Sequence, residues 1–405
     1  MTIKIKTIVS ALVLAVAAAP VLAQKAVGIS DRVIRIGVIN DRSGFLMDVT
    51  GEGSVVAARL AAEEFKNTIQ GAPIEFVIGD HLNKPDVGSA MARKFFDIDK
   101  GDVIVDIGPS NVSFAIVSLA NERGKVVLTN SASSDFTGKA CTRYSAQWNY
   151  NTYSNTKAAA VAALKEGLDT WFLIVADYSF GHSLSANLRE QLAHRGGKVL
   201  GEVKVPVGTA DFTSYLLQAQ ASGAKAVGLL NAGADVVTAV KQAAELNLRQ
   251  KQTLVGLTIN VPEIEALGLN VAQGMLMVST FEWARNKATR DWTKRFVDRF
   301  GKLPSANQAA VYSQVKHYLR AVQASGTDNA ATVMAKMREL PVQDVFAENG
   351  RLREDGQMLH DIYVVRTKKP SESTEKGDYF QIVQTVPGEQ AFQSLAESEC
   401  PLIKK

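Results

Sequence analysis

From Val33 onward, short runs of β-branched residues alternate with stretches whose apolar positions recur every three or four residues. Residues 33–39 read as a buried strand, and 54–65 as a helix with Val55, Ala58, Ala62 and Phe65 on one face. A strand follows at 74–78, then a helix opened by Asp86 and running to about 97, then a strand at 103–107. Ser113 opens a helix to 123, and 126–128 closes the series as a strand. Strands separated by helices of this length imply right-handed βαβ units and a parallel sheet.

The pattern then restarts. Strands at 171–175, 199–205, 226–230 and 254–256 alternate with helices at 180–194, 212–221 and 234–246. The polar, aromatic segment Trp148-Asn149-Tyr150-Asn151-Thr152-Tyr153 joins the two units. The last third breaks the rhythm, with helices at 288–300, 307–324 and 329–339 and strands near 361–366 and 379–386. Between those strands, "TKKPSESTEKGD" reads as a solvated hairpin loop. The tail segments complete both earlier units, which requires crossovers near 148–153, 279–284 and 346–352. One lobe then comprises 30–148 plus 282–347, the other 149–281 plus 348–395, with 396–405 as a tail.

The first residues bear on the compartment. Lys4 and Lys6 precede an apolar run, 8–19, that is short for a bilayer, and Val21-Leu22-Ala23 offers the small residues a signal peptidase reads. Residues 1–23 therefore read as a signal peptide cut before Gln24, rather than as an uncut anchor, and the expected location is the periplasm. Removing them leaves 405 − 23 = 382 residues, suited to two domains, and lowers the formal charge from +4 to +2 by the loss of two lysines. That balance, with no basic cluster, argues against a nucleic-acid partner. Cys141 and Cys400 are the two cysteines, and in an exported chain an even count points to a disulfide, two buried free thiols being the alternative.

Catalytic signatures are missing. The five histidines, His81, His182, His194, His317 and His360, show no metal spacing such as HExxH. There is no GxSxG elbow and no GxxxxGK loop, and Gly51-x-Gly53 lacks the third glycine of a dinucleotide fingerprint. Asp80-His81 reads as a cap beside a surface imidazole. No cofactor, no metal and no enzymatic chemistry are expected. The rival readings are a secreted hydrolase of small esters or amides and a ligand-binding sensor.

What recurs is polar, small or aromatic material at the carboxyl ends of strands, where open parallel sheets bind ligands. Asn40 to Gly44 follows the first strand, Gly108 to Ser113 the third, and Thr129 to Asp135 the fourth. In the second unit the same places hold Asp177 to Gly181, Asn231-Ala232-Gly233 and Thr258-Ile259-Asn260. A hydroxyl such as Ser113 at a helix start, beside free amides and the helix dipole, suits a carboxylate, although a plain N-cap has the same look.

"IRIGVINDRSG", "DVGSAMARKFFD", "IGPSNVSFAIVSLANE", "TNSASSDFTG", "IVADYSFGHSL" and "DFTSYLLQAQASGAKAVGLLNAGAD" together resemble periplasmic solute-binding proteins of ABC importers, of the leucine/isoleucine/valine-binding type. The resemblance spans nearly the whole chain after residue 23. It implies an α/β fold of two Rossmann-like lobes, the type I periplasmic binding protein, joined by a three-segment hinge. It also implies a monomer that captures a small carboxylate and delivers it to an inner-membrane permease. Ser113 matches the serine that bonds the ligand carboxylate, and Ser131 and Ser133 match the loop beside it. Tyr178 and Phe180 stand where such binders line the pocket, Asn231 and Gly233, Thr258 and Asn260 match the second-lobe loops, and Tyr150 lies at the first crossover.

"TGKAC", "WNYNTYSNTKA", "DYSFGHSL" and "ESECPLIKK" look closest to members that handle aromatic carboxylates. Tyr150, Tyr153, Tyr178, Phe180, Phe281 and Trp283 offer flat walls for a ring. The Thr258–Asn260 turn also lacks the acidic group that pairs with an amino acid's ammonium, though Asp235 or Glu282 could replace it. The expectation is therefore an aromatic acid, with a branched-chain or other amino acid as the alternative.

Overall fold

The computed structural model describes residues 28–404, so the signal segment expected at 1–23 lies outside it. The first lobe opens with β1 (Ile34–Asn40), α1 (Gly51–Glu63), the short β2 (Thr68–Ile69) and β3 (Ala72–Asp80). It continues with α2 (Pro85–Asp97), β4 (Val103–Val105), α3 (Ser110–Glu122), β5 (Val126–Thr129) and β6 (Ser145–Gln147). These strands form one sheet in the order β2-β3-β1-β4-β5-β6, parallel except for β2.

The second lobe starts with α4 (Thr152–Lys165), β7 (Thr170–Ala176), α5 (Ser179–Ala193), β8 (Lys198–Val205), α6 (Thr213–Ala221) and β9 (Ala226–Leu230). Then come α7 (Ala234–Glu245), β10 (Thr253–Gly256), α8 (Val261–Leu267), α9 (Leu269–Ala272) and β11 (Leu276–Ser279). The chain returns to the first lobe for α10 (Lys287–Phe300), α11 (Ala306–Ser325), α12 (Ala330–Glu339) and the hairpin β12 (Arg351–Leu352) and β13 (Met358–Leu359). Strands β14 (Ile362–Thr367) and β15 (Phe380–Val386) and the short α13 (Gly388–Ala391) finish the second lobe. Its sheet runs β15-β14-β11-β10-β9-β7-β8, with only the last two additions antiparallel.

Both sheets are covered on both faces, which is why their strands read as continuous apolar runs. In the first lobe Ile34, Ile36 and Val38 pack against Val55, Ala58, Tyr312 and Leu319, while Ile104 and Val127 face Phe95 and Ile116. In the second, Trp171, Leu173 and Val175 pack on Leu184 and Leu188, and Phe172 and Ile174 on Phe212 and Leu216.

Several expectations need correction. Helix α3 begins at Ser110, because Pro109 takes the N-cap position and its carbonyl receives the Ser113 amide at 2.9 Å. Ser113 thus lies a turn inside. Helix α4, which the alanine-rich stretch after Asn151 forms, starts in a reciprocal cap between Asn151 and Ser154. The loop between β14 and β15 is not simply solvated: Trp283 donates its indole N–H to Gly377 O at 2.9 Å, and Arg290 pairs with Glu375. The last crossing falls at 359–361, since Leu352 and Met358 are buried in the first-lobe core while Leu359 and Ile362 are buried in the second. Cys141 and Cys400 are joined, 5.6 Å apart at Cα and 259 residues apart in sequence.

Candidate ligand-binding cleft

The carboxyl ends of β1, β4 and β5 face those of β7, β9 and β10 across a partly open cavity. The first lobe contributes Leu46 and Val49 from the loop after β1, the Gly108–Ser110 turn, Asn130 and Ala132, and Asn307 from the first turn of α11. The second contributes Tyr150, Tyr178, Phe180, Ala232, Thr258, Asn260 and Glu263. Tyr178 and Phe180 form one wall, with ring centroids 5.6 Å apart. Burial pushes both the Tyr150 and Tyr178 phenols well above their ordinary range, so they stay protonated donors.

Five of the residues expected at the site line the cavity: Tyr150, Tyr178, Phe180, Thr258 and Asn260. Of the others, Gly233 lines a neighbouring pocket with Phe45 and Met47, and the rest stand behind the cavity. Ser113 is fully buried, its hydroxyl donating to Ile107 O at 3.1 Å and lying 3.3 Å from the Thr129 hydroxyl. Ser110 reaches the cavity in its place, and the Ser131 hydroxyl donates to it at 2.9 Å. The carbonyls of Ser131 and Ser133 both accept from the Gln147 amide, at 2.6 and 2.8 Å, which fixes the loop. The Ser133 hydroxyl accepts from the Asp135 amide and so caps a short turn. Asn231 is fully buried, and neither polar atom of its side-chain amide has a partner among the described residues. Of the remaining aromatics, Phe281 and Trp283 pack in the first-lobe core beside Trp292, and Tyr153 lies under the Lys157 ammonium.

The 258–260 turn has no acidic group of its own, but Glu263, three residues after Asn260, lines the cavity. Its Oε2 accepts the Asn260 amide at 2.9 Å and its Oε1 the Gly233 amide at 3.2 Å. Burial pushes its carboxyl up to about 7 against those bonds. The capping pattern Asn260-x-x-Glu263 was legible, but its direction into the cleft was not. Asp235 instead accepts the Gly208 amide and, like Glu282, is not among the cavity-lining residues.

His81 is buried rather than a surface imidazole, its Nδ1 accepting from the Asn83 amide. Asp80 accepts from Ser43, Leu82 and Arg42 and so serves the neighbouring turns. Among the described residues, no cluster of His, Cys, Asp and Glu is arranged to hold a metal, and no helix is long and apolar enough to cross a membrane.

A sequence profile of periplasmic binding proteins matches residues 33–376. The chain belongs to the periplasmic binding protein family. It is 39% identical to a periplasmic binding protein from Burkholderia mallei, over 92% of this chain and all of that one, with a TM-score of 0.89. It is 36% identical to a branched chain amino acid ABC transporter periplasmic ligand-binding protein from Burkholderia xenovorans, over 91% and 99% of the two chains, with a TM-score of 0.83. A Rhodopseudomonas palustris ABC transporter solute-binding protein in complex with benzoate shares the fold, with 19% identity over 91% of this chain and all of that one, and a TM-score of 0.80. Among curated proteins none matches significantly.

This periplasmic binding protein has the type I fold, and its lobes are closed on each other. Beside the cavity, the Ala234 amide donates to Phe45 O at 3.3 Å and the Ala306 amide to Asn260 Oδ1 at 3.2 Å. Nearer the first crossing, the Thr152 amide donates to Ala132 O at 2.6 Å.

Proposed function

We propose that this protein is the substrate-binding component of an ABC importer. After export to the periplasm it closes as a monomer on a small carboxylate and delivers it, chemically unchanged, to an inner-membrane permease. The Ser110 hydroxyl, oriented by Ser131, and the free amides opening α3 supply the carboxylate half of the site.

The observation that carries the ligand class is Glu263, a carboxylate in the cavity wall of the second lobe. A buried carboxylate with no cation beside it is costly, and a ligand ammonium removes that cost. The favoured ligand is therefore an α-amino acid with an apolar side chain against Leu46, Val49 and Phe180. The Burkholderia xenovorans relative, described as a branched chain amino acid ligand-binding protein, supports the same class. An aromatic acid is the second reading, favoured by the rings of Tyr150, Tyr178 and Phe180.

A thermal-shift panel separates them, because a ligand raises the melting temperature by mass action. Leucine, isoleucine, valine and phenylalanine are set beside benzoate, 4-hydroxybenzoate and cinnamate. Stabilisation by amino acids is the expected result; stabilisation by ring acids alone reverses the ligand class. Recovery of the bound ligand as a hydrolysed product would overturn the transport reading itself.

A further inference from the structure

Glu263 does more than face the cavity. Its two carboxylate oxygens hold two different loops of the second lobe, the turn after β9 through the Gly233 amide and the turn after β10 through the Asn260 amide. Each of those loops makes a hydrogen bond across the cleft. Ala234, next to Gly233, donates to the Phe45 carbonyl of the first lobe, and the Asn260 side chain accepts from the Ala306 amide of the first lobe.

A capping box at the start of α8 explains only one of the two bonds. Asn260 lies three residues before Glu263, whereas Gly233 is 30 residues away on a separate loop. The Gly233 turn is also held to a narrow geometry. It has φ of +62°, and a Cβ there would stand 2.2 Å from the Phe45 carbonyl oxygen. Small displacements of this loop therefore break the crossing contact.

We propose that Glu263 is the positioning residue for lobe closure: one carboxylate sets both latching loops at once and so couples what occupies the cavity to the contacts that shut it. This rests on the reading of the protein as a binder that closes on its ligand. A carboxylate suits the task because each of its oxygens accepts a backbone N–H. A glutamine in its place has one acceptor, its NH2 group opposes the other amide, and the bond it keeps loses its charge assistance, so the hold on both loops weakens.

The test uses the ligand-free mature protein, which makes it independent of ligand identity. Residue-resolved amide hydrogen exchange is compared between wild type, Glu263→Gln and Glu263→Asp, the last retaining the charge on a side chain one methylene shorter. Exchange at both Gly233 and Asn260 should accelerate at least tenfold in Glu263→Gln, and at Gly233, with or without Asn260, in Glu263→Asp should the glutamine variant fail to fold. Acceleration at Asn260 alone would reduce Glu263 to an ordinary helix cap and overturn the proposal. Spin labels on Met47→Cys and Thr238→Cys, which flank the mouth, give the second readout, the native cysteines being already bridged. Distances across the mouth should lengthen in Glu263→Gln; loosened loops with unchanged mouth distances would also refute the coupling. Failure of leucine to bind would touch the ligand assignment and leave these readouts standing.

Discussion

The Ser131 hydroxyl donates to the Ser110 hydroxyl across 2.9 Å, deep at the carboxyl ends of β5 and β4. That bond occupies a Ser110 lone pair and leaves the Ser110 hydroxyl, which lines the cavity, a proton to donate to a ligand. Ser110→Ala should therefore weaken carboxylate binding by about 1–3 kcal/mol, the range for a charge-assisted hydrogen bond. Ser113→Ala should leave affinity near wild type and cost about 1 kcal/mol of stability, because its hydroxyl serves Ile107 and Thr129 instead. Isothermal titration and thermal unfolding on the two variants read both effects. The reverse ranking would restore Ser113 as the ligand residue.

Glu263→Gln separates the two ligand classes. For an amino acid it strips the ammonium of its partner in a buried site, a loss of about 3–5 kcal/mol and hence at least a hundredfold in Kd. For benzoate it loosens closure but also removes a negative charge near an anion, so affinity should fall far less. Titration of both ligands into both proteins gives the answer, and a benzoate affinity that falls as far as the leucine affinity would contradict it.

The alternation of strand and helix was legible because both sheets are sandwiched between helices, so the central strands are largely apolar and each helix has one apolar face. β6 escaped because Ser145-Ala146-Gln147 has no apolar run; its place is set by pairing with β5 and by Gly356 O, which accepts the Gln147 amide. The cleft was legible as a set of strand ends and not as a set of contacts. Asn307 enters it from a helix 177 residues beyond Asn130, whose amide donates to the Asn307 carbonyl, and no local pattern marks such a meeting. Ser113 misled because its hydroxyl looks like a cap, while Pro109 had already started the helix one turn earlier.

Buried carboxyls give stability a specific pH dependence. Burial pushes the Glu282 carboxyl up to about 7, above its ordinary 4.5. A carboxyl raised on folding favours the folded state while protonated, so stability present at pH 4.5 is lost as pH climbs to 7. Glu282→Gln should match wild type at pH 4.5 and exceed it at pH 8 by up to about 3 kcal/mol. His317 and His360, held down to about 4 by burial, act the opposite way as pH falls from 6.5, and they cancel in the difference between the two proteins. Urea unfolding at the two pH values measures it; a constant offset would place the charge of Glu282 in solvent.

The Cys141–Cys400 bridge ties the two lobes through the tail. Phe392 is still packed in the second-lobe core, whereas Cys141 belongs to the first-lobe loop after β5. Between them the Arg353 guanidinium donates to Gln393 O at 2.6 Å, and the Ser398 hydroxyl to Thr137 O at 3.2 Å. The bridge closes a loop of 259 residues, for which chain entropy gives about 5 kcal/mol as an upper bound. The paired variant Cys141→Ser/Cys400→Ser should therefore unfold at lower temperature. Two hydrogen bonds to the rest of the chain cannot hold the seven residues 393–399, four of them exposed, against their own entropy, so the segment after Phe392 should also become open to proteolysis while the lobes stay folded. Limited digestion with mass spectrometry locates the cut. A tail as resistant as that of the bridged protein would mean that packing, with the Arg353 and Ser398 contacts, is sufficient to hold it.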